Sequence, residues 1–344
     1  MNNRDRFFGF VRRSRIDRVP IQLQNLILAA QAVHRDLPVV FRDSRLVAEG
    51  HVLEWERYRH DAVIVDIGTH AAAEAFGCVV EYVPGELPRV AEGAVASWDE
   101  IEGLRIPDVL TCGPLVVVLD AVRELKRTIG KHTVIMGSLD QGPFSLATQV
   151  VGLEKVLLAL AMGDAVEPLV VLLRLCAQFT EAYGRALAEA GADVVRMGDS
   201  ISGTDLISPD MYRSFALPYQ RWLAEEFRRA GIIFDFHICG NATPILHDMV
   251  GAGAAFLEID EKTDMAIARR EVRDGCGVAG SISPRLLRFA SPADVQAACR
   301  RLLQAWMPQG GLLLGPGCSL VADTPEENLR TMIRCAEESG QYSA

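Results

Sequence analysis

Eight short apolar runs rich in β-branched residues recur along this chain, and most are followed by an amphipathic segment long enough to cross back over a sheet. The runs are Arg18 to Leu23, Asp61 to Ile67, Thr133 to Leu139, Ala192 to Asp199, Ile232 to Cys239, Ala255 to Ile259, Gly277 to Ser281 and Gly311 to Cys318. Helical segments between them include Glu154 to Ala161, Val166 to Ala190, Pro209 to Ala230, Ala242 to Ala252 and Pro292 to Trp306. Strands joined by such crossovers lie parallel, and eight is the number at which a parallel sheet closes on itself and loses its edges. The expected fold is therefore an α/β (β/α)8 TIM barrel.

The stretch from Ile67 to Thr133 holds more than one crossover needs: a short helix at Ala71 to Phe76, a hairpin or loop near Val79 to Val90, and a further segment at Asp99 to Leu104. It reads as an insertion after the second strand. No linker, repeat or low-complexity tract divides the chain, so residues 1–344 are expected to form one barrel domain. At 344 residues and 49% hydrophobic, the chain can bury a large core.

A formal net charge of −10 argues against a broad nucleic-acid or anionic-membrane footprint, because both need clustered Lys and Arg. The opening MNNRDRFFGFVRRSRIDRVP has several arginines but also Asp5 and Asp17, and Phe7, Phe8, Phe10 and Val11 suit a packed first helix better than a transit peptide. No apolar stretch reaches the roughly 20 residues that span a bilayer. A cytoplasmic protein without a membrane segment is expected, and a homo-oligomer is compatible with this. The eight cysteines then read as thiols, with Cys176, Cys299 and Cys335 as small apolar core residues. The GPGC run at Gly315 to Cys318 does not follow a first strand and is no dinucleotide fingerprint.

In IIFDFHICGNATPIL, His237 and Cys239 are two residues apart at the end of an expected strand, so the pleat turns both side chains the same way. Gly240 ends that strand, which places the pair at the carboxyl-terminal face where barrel enzymes keep their active sites. Cys318 repeats the arrangement on the last strand. Two thiolates and an imidazole make a donor set that zinc favours, with a fourth position for substrate. The same residues also read as a core imidazole and two strand-end packing cysteines, and spacing alone leaves both readings standing.

The chain resembles the uroporphyrinogen decarboxylase superfamily, and within it the branch of corrinoid-dependent methyltransferases. The resemblance rests on RDRFFGFVRRSRIDRVPI, ERYRHDAVIVDIGTHAAAEAFGCVV, GDSISGTDLISPDMYRSFALPYQ, HICGN and GPGC, in that order over nearly the whole length. It implies that His237, Cys239 and Cys318 bind zinc. It also implies methyl transfer between a methyl-corrinoid carried by a separate corrinoid protein and a small-molecule methyl acceptor or donor, a thiol or a tetrahydrofolate-type compound. Two cysteinates and one neutral imidazole would leave the ion uncharged, which suits alkyl transfer over water activation. Asp199, after the fourth strand, and Glu258 or Asp260, after the sixth, are candidates for the remaining ligand or for an acceptor that orients His237. His70 reads as a loop histidine, and Tyr212 and Tyr219 as packing residues.

Two alternatives belong beside this. The first is metal-free decarboxylation of a porphyrinogen, in which Asp66 would be the pyrrole-binding aspartate. Against it, IQLQNLIL holds no arginine where a substrate with many carboxylates would want guanidinium partners. The second is a non-catalytic subunit that only binds the corrinoid protein, against which the intact donor trio argues.

Overall fold

The computed structural model of the chain describes residues 1–272 and 275–342. Its strands are β1 (Gln22–Leu23), β2 (Ala62–Val65), β3 (Val79–Glu81), β4 (Arg89–Glu92), β5 (Val134–Gln141), β6 (Val194–Gly198), β7 (Phe234–Ile238), β8 (Phe256–Ile259), β9 (Gly277–Ile282) and β10 (Leu312–Pro316). Eight of them form one parallel sheet in the order β1-β2-β5-β6-β7-β8-β9-β10. A parallel bridge between Ile21 and Leu314 joins its last strand to its first and closes the barrel. The eight expected runs each supply one barrel strand. The first is shorter than expected, because Pro20 has no N–H to give the ladder and Arg18 turns away to pair with Gln341. Between β2 and β5, β3 and β4 form a separate antiparallel pair, followed by a 3₁₀ turn, Trp98–Gly103, and the crossover helix Gly113–Thr128.

The long helix Val166–Ala190 and the helix Pro292–Trp306 stand where the periodicity puts them. Ser291 opens the latter with a capping box to Asp294. The expected helix from Pro209 to Ala230 is instead two, Pro209–Phe215 and Leu217–Arg229, because Pro218 brings no N–H to the ladder and a new helix starts around it. The segment after Cys239 starts with a 3₁₀ turn, Thr243–Ile245, before the helix Leu246–Gly251. Among the described residues no single helix is long and apolar enough to cross a membrane.

Inside the barrel, alternate residues of each strand face the axis and stack in layers. The lower layer is apolar: Ala62, Ile64, Val134, Met136, Val194, Phe256, Ala279 and Leu313 form one buried cluster with Phe7 and Phe10. These two phenylalanines come from the helix Asn3–Val11, which closes the amino-terminal end as a plug, with Phe10 edge-on to Phe256. Arg6 and Arg18 both pair with the buried Asp61 at 2.6 and 2.9 Å and fasten the plug to the sheet. One residue pair further up each strand the interior changes character. Gln22, Arg196, Asp235, His237 and Glu258 are all buried there.

Candidate functional site

His237 lies within β7, Cys239 one residue beyond its end, and Cys318 two residues beyond the end of β10. Their donor atoms all lie within 4.8 Å of one another, and this is the one His/Cys/Asp/Glu group among the described residues with metal-binding spacing. Nε2 of His237 is 3.1 Å from Cys239 Sγ, which is 3.8 Å from Cys318 Sγ. The other ring nitrogen, Nδ1, donates to the main-chain carbonyl of Glu258 at 3.2 Å. That bond places the proton on Nδ1 and turns the Nε2 lone pair towards the two sulfurs. One imidazole and two thiols so arranged are the donor set of an open zinc site, and the residues present fit that ion.

Close backbone approaches make the cluster possible. Gly240 follows Cys239 with φ of +82°, where an L side chain is strained, and a Cβ there would collide with Asp205. At Gly317 a Cβ would come within 2.8 Å of the Glu261 amide, so only glycine lets the chain bring Cys318 in against the end of β8.

The thiols are electrostatically unequal. Hydrogen bonding with Cys318 brings the Cys239 thiol down to about 7, against an opposing effect of burial and with help from Ser200, whose Oγ is 3.2 Å away. The same contact with Cys239 pushes Cys318 up to about 12. For His237 burial disfavours the imidazolium, but the hydrogen bond and charge of Cys318 outweigh it and the net shift is upward.

Glu258, expected as an acceptor for His237, serves that imidazole through its main-chain oxygen. Its carboxylate is engaged elsewhere, accepting from Arg196 Nε at 2.6 Å and from Gln22 Nε2 at 2.5 Å. Asp199 is buried, and its carboxylate is engaged by other groups. It accepts from the Ser145 amide at 2.8 Å, capping the helix Pro143–Val151, and from Gln220 Nε2 at 2.9 Å. Gln220 in turn accepts from Tyr212, which packs as expected. Tyr219 is half-buried beside the helix Val166–Ala190. Asp260 accepts from the Gly240 amide at 2.9 Å and so holds the turn after Cys239. Asp66, just past β2, accepts from the Gly68 amide; burial raises its pKa, with Arg196 pulling the other way. His70 is not a surface residue: it is fully buried, edge-on to Tyr82 with ring centroids 5.4 Å apart. Neither His70 nor any of the carboxylates Asp66, Asp199, Glu258 and Asp260 joins the sulfur cluster.

Sequence reasoning passed over Ser200, Arg196, Asp235 and Gln22. A signal was there for three of them. Arg196 in ADVVRMGD, Asp235 in IIFDFHI and Gln22 in VPIQL are polar residues inside buried strands, and Asp235 lies on the same face as His237 by the period of two. Arg196 pairs in register with Asp235, whose two carboxylate oxygens are buried without a hydrogen-bond partner. Burial, reinforced by Glu258, raises the Asp235 pKa strongly.

Comparison with known proteins converges on one group. The profile described as uroporphyrinogen decarboxylase (URO-D) matches residues 2–339. The chain is 32% identical over 281 residues to the methylcobamide:CoM methyltransferase MtbA of Methanosarcina acetivorans, covering 80% of this chain and 79% of that protein. It is 29% identical over 345 residues to the protein of the same name from Methanosarcina mazei, covering 97% of each. A uroporphyrinogen decarboxylase of Pelobacter propionicus is 27% identical over 281 residues, 80% of each. Among solved structures, a methyltransferase from Methanosarcina mazei superposes with a TM-score of 0.89 at 24% identity, covering 98% of this chain and 99% of that one.

Proposed function

This chain belongs to the uroporphyrinogen decarboxylase (URO-D) family, and from that footing we propose that it is a zinc-dependent methyltransferase. It moves a methyl group between a corrinoid protein and a small-molecule thiol or tetrahydrofolate-type partner. The observation that carries the reading is the trio His237, Cys239 and Cys318, with Nε2 and two sulfurs mutually within 4.8 Å at the carboxyl-terminal end of the barrel. The relatives named as methylcobamide:CoM methyltransferases support the same chemistry.

His237, Cys239 and Cys318 would hold the ion, which when bound supplies a cation that keeps a sulfur nucleophile deprotonated near neutral pH. The chain's own residues prepare that site. The Glu258 carbonyl fixes the His237 tautomer, so the ring reaches the site as a neutral donor. Ser200 donates to Cys239 in its thiolate form and steadies the sulfur that already ionises most readily. Asp260 and Asp199 act as positioning residues, the first by holding the turn at Gly240 and the second by capping the helix beside Ser200. Glu258 and Gln24 occupy Arg196, so its charge lies beneath the donors without binding to them.

Metal analysis of purified wild type is expected to give about one zinc per chain, and Cys239→Ser or Cys318→Ser is expected to lose most of it. With methylcobalamin and a panel of thiols or tetrahydrofolate, wild type should convert the cobalt absorbance while both variants stay silent. A metal-free wild type that decarboxylates a porphyrinogen would replace this reading with the decarboxylase one. A zinc-loaded wild type that binds a corrinoid protein without turnover would point to a binding subunit.

A further inference from the structure

The helix Leu153–Met162 turns an apolar side to solvent. Val156 and Ala159 on its inner side are buried, while on the outer side Leu158 is 53% exposed and Met162 73%, with Ala161 also exposed between them. Spacings of three and four residues put Leu158, Ala161 and Met162 in one stripe along the helix. The neighbouring helix Val166–Ala190 adds the exposed Val171. Large apolar side chains left together on a surface mark a contact with something else.

The two ends of the stripe carry opposite charges. Lys155 is exposed at the amino-terminal end, its Nζ donating to the neutral Ala96 carbonyl at 2.7 Å. Asp164 is exposed just past the carboxyl-terminal end, beyond the left-handed turn at Gly163. Among the described residues neither Lys155 nor Asp164 has an ion-pair partner. Two copies of the helix laid antiparallel about a two-fold axis midway between Leu158 and Ala161 set Leu158 of one copy against the small Ala161 of the other. The same register, carried three residues further out on each side, brings Lys155 to Asp164. A two-fold contact makes each such pair twice, so the surface is complementary to itself in both shape and charge. A membrane fits it less well. Glu154, Asp164 and Glu167 surround the stripe with negative charge, which an anionic lipid surface repels.

We propose that this stripe is the contact of a two-fold homodimer, in which the helices Leu153–Met162 of two copies pack antiparallel, Leu158 against Ala161 and Lys155 against Asp164.

The test is sedimentation equilibrium of the full chain over a concentration series, where wild type should show a reversible monomer–dimer equilibrium. Met162→Glu sets a charge in the apolar centre and should leave only monomer. Lys155→Asp and Asp164→Lys should each weaken dimerisation by at least about tenfold, because each sets like charges opposite one another at both contacts. Mixing these two variants should restore the dimer, since the mixed pair has opposite charges at both contacts. All three positions are exposed, and circular dichroism checks that the variants fold. Wild type that stays monomeric throughout, a dimer indifferent to Met162→Glu, or a mixture of the charge variants no more associated than either alone overturns the proposal. Monomeric wild type that sediments with phosphatidylserine vesicles, and loses this with Met162→Glu, would give the stripe to a membrane instead.

Discussion

Arg196 and Glu258 form a salt bridge at 2.6 Å with 8% and 0% of their side chains exposed, directly beneath the donor trio. Removing one partner from such a pair leaves a buried charge without compensation, which costs far more than the pair itself contributes. Arg196→Met is expected to destabilise the fold by about 3–5 kcal/mol, since Glu258 would then face Asp235 unscreened. The double change Arg196→Met with Glu258→Leu should recover most of that loss. Urea denaturation of the two variants checks both, and an Arg196→Met protein as stable as wild type would show the pair to be idle. At this scale the clustering of the trio was legible because two side chains two residues apart on a strand share a face whatever the rest of the chain does. The carboxylates were not. Asp199 and Asp260 stand just past strand ends and Glu258 within β8, not after it, and their partners, the Ser145 amide, Arg196 and the Gly240 amide, come from other parts of the fold. Sequence order does not reveal where a carboxylate points when three strands converge on it.

The helix Ser44–Tyr58 and its junction with β2 carry a buried basic pair, His51 and His60. Burial lowers His51 to about 4; burial and then the neighbouring His51 lower His60 to about 3. Both values lie below the free value of 6.5, so the neutral rings stabilise the fold above pH 6.5 and that contribution is lost as the pH falls towards 4. Each histidine should cost about 2 kcal/mol between pH 6.5 and pH 5. Urea midpoints measured at pH 7.5 and 5.5 should show the drop, and His51→Leu should flatten it. A wild-type midpoint that does not move would refute the assignment. Elements of this length were largely legible, because an amphipathic stripe such as that of Val166–Ala190 is a property of one segment. The division of Pro209 to Ala230 was marked by Pro218 and passed over, since the apolar stripe runs on through it. The packing of His70 against Tyr82 could not be read locally, because Tyr82 belongs to the antiparallel pair region, whose placement depends on the whole barrel.

Taken whole, the barrel has two storeys, an apolar base closed by Phe7 and Phe10 and a polar storey that ends in the sulfur cluster. The base supplies stability and the upper storey chemistry, and the two should separate on mutation. Phe10→Ala is expected to cost about 3–5 kcal/mol, as for other buried phenylalanines, while the folded variant should match the metal content measured for wild type. Denaturation and metal analysis of the same sample test the separation; loss of zinc from folded Phe10→Ala would disprove it. Closure by eight strands was readable from rhythm alone, because the count sets the geometry. The polar storey was not, since barrel interiors are commonly filled with branched apolar side chains and the exceptions are single letters within apolar runs. One bond joins the storeys to the chemistry: the Nδ1 proton of His237 lies on the Glu258 carbonyl, between two strands held in register by the ladder of β7 and β8. That proton is sealed from water by the sheet itself. Its exchange lifetime is therefore a clock for barrel breathing, and the imidazole keeps one tautomer for as long as the two strands keep their alignment.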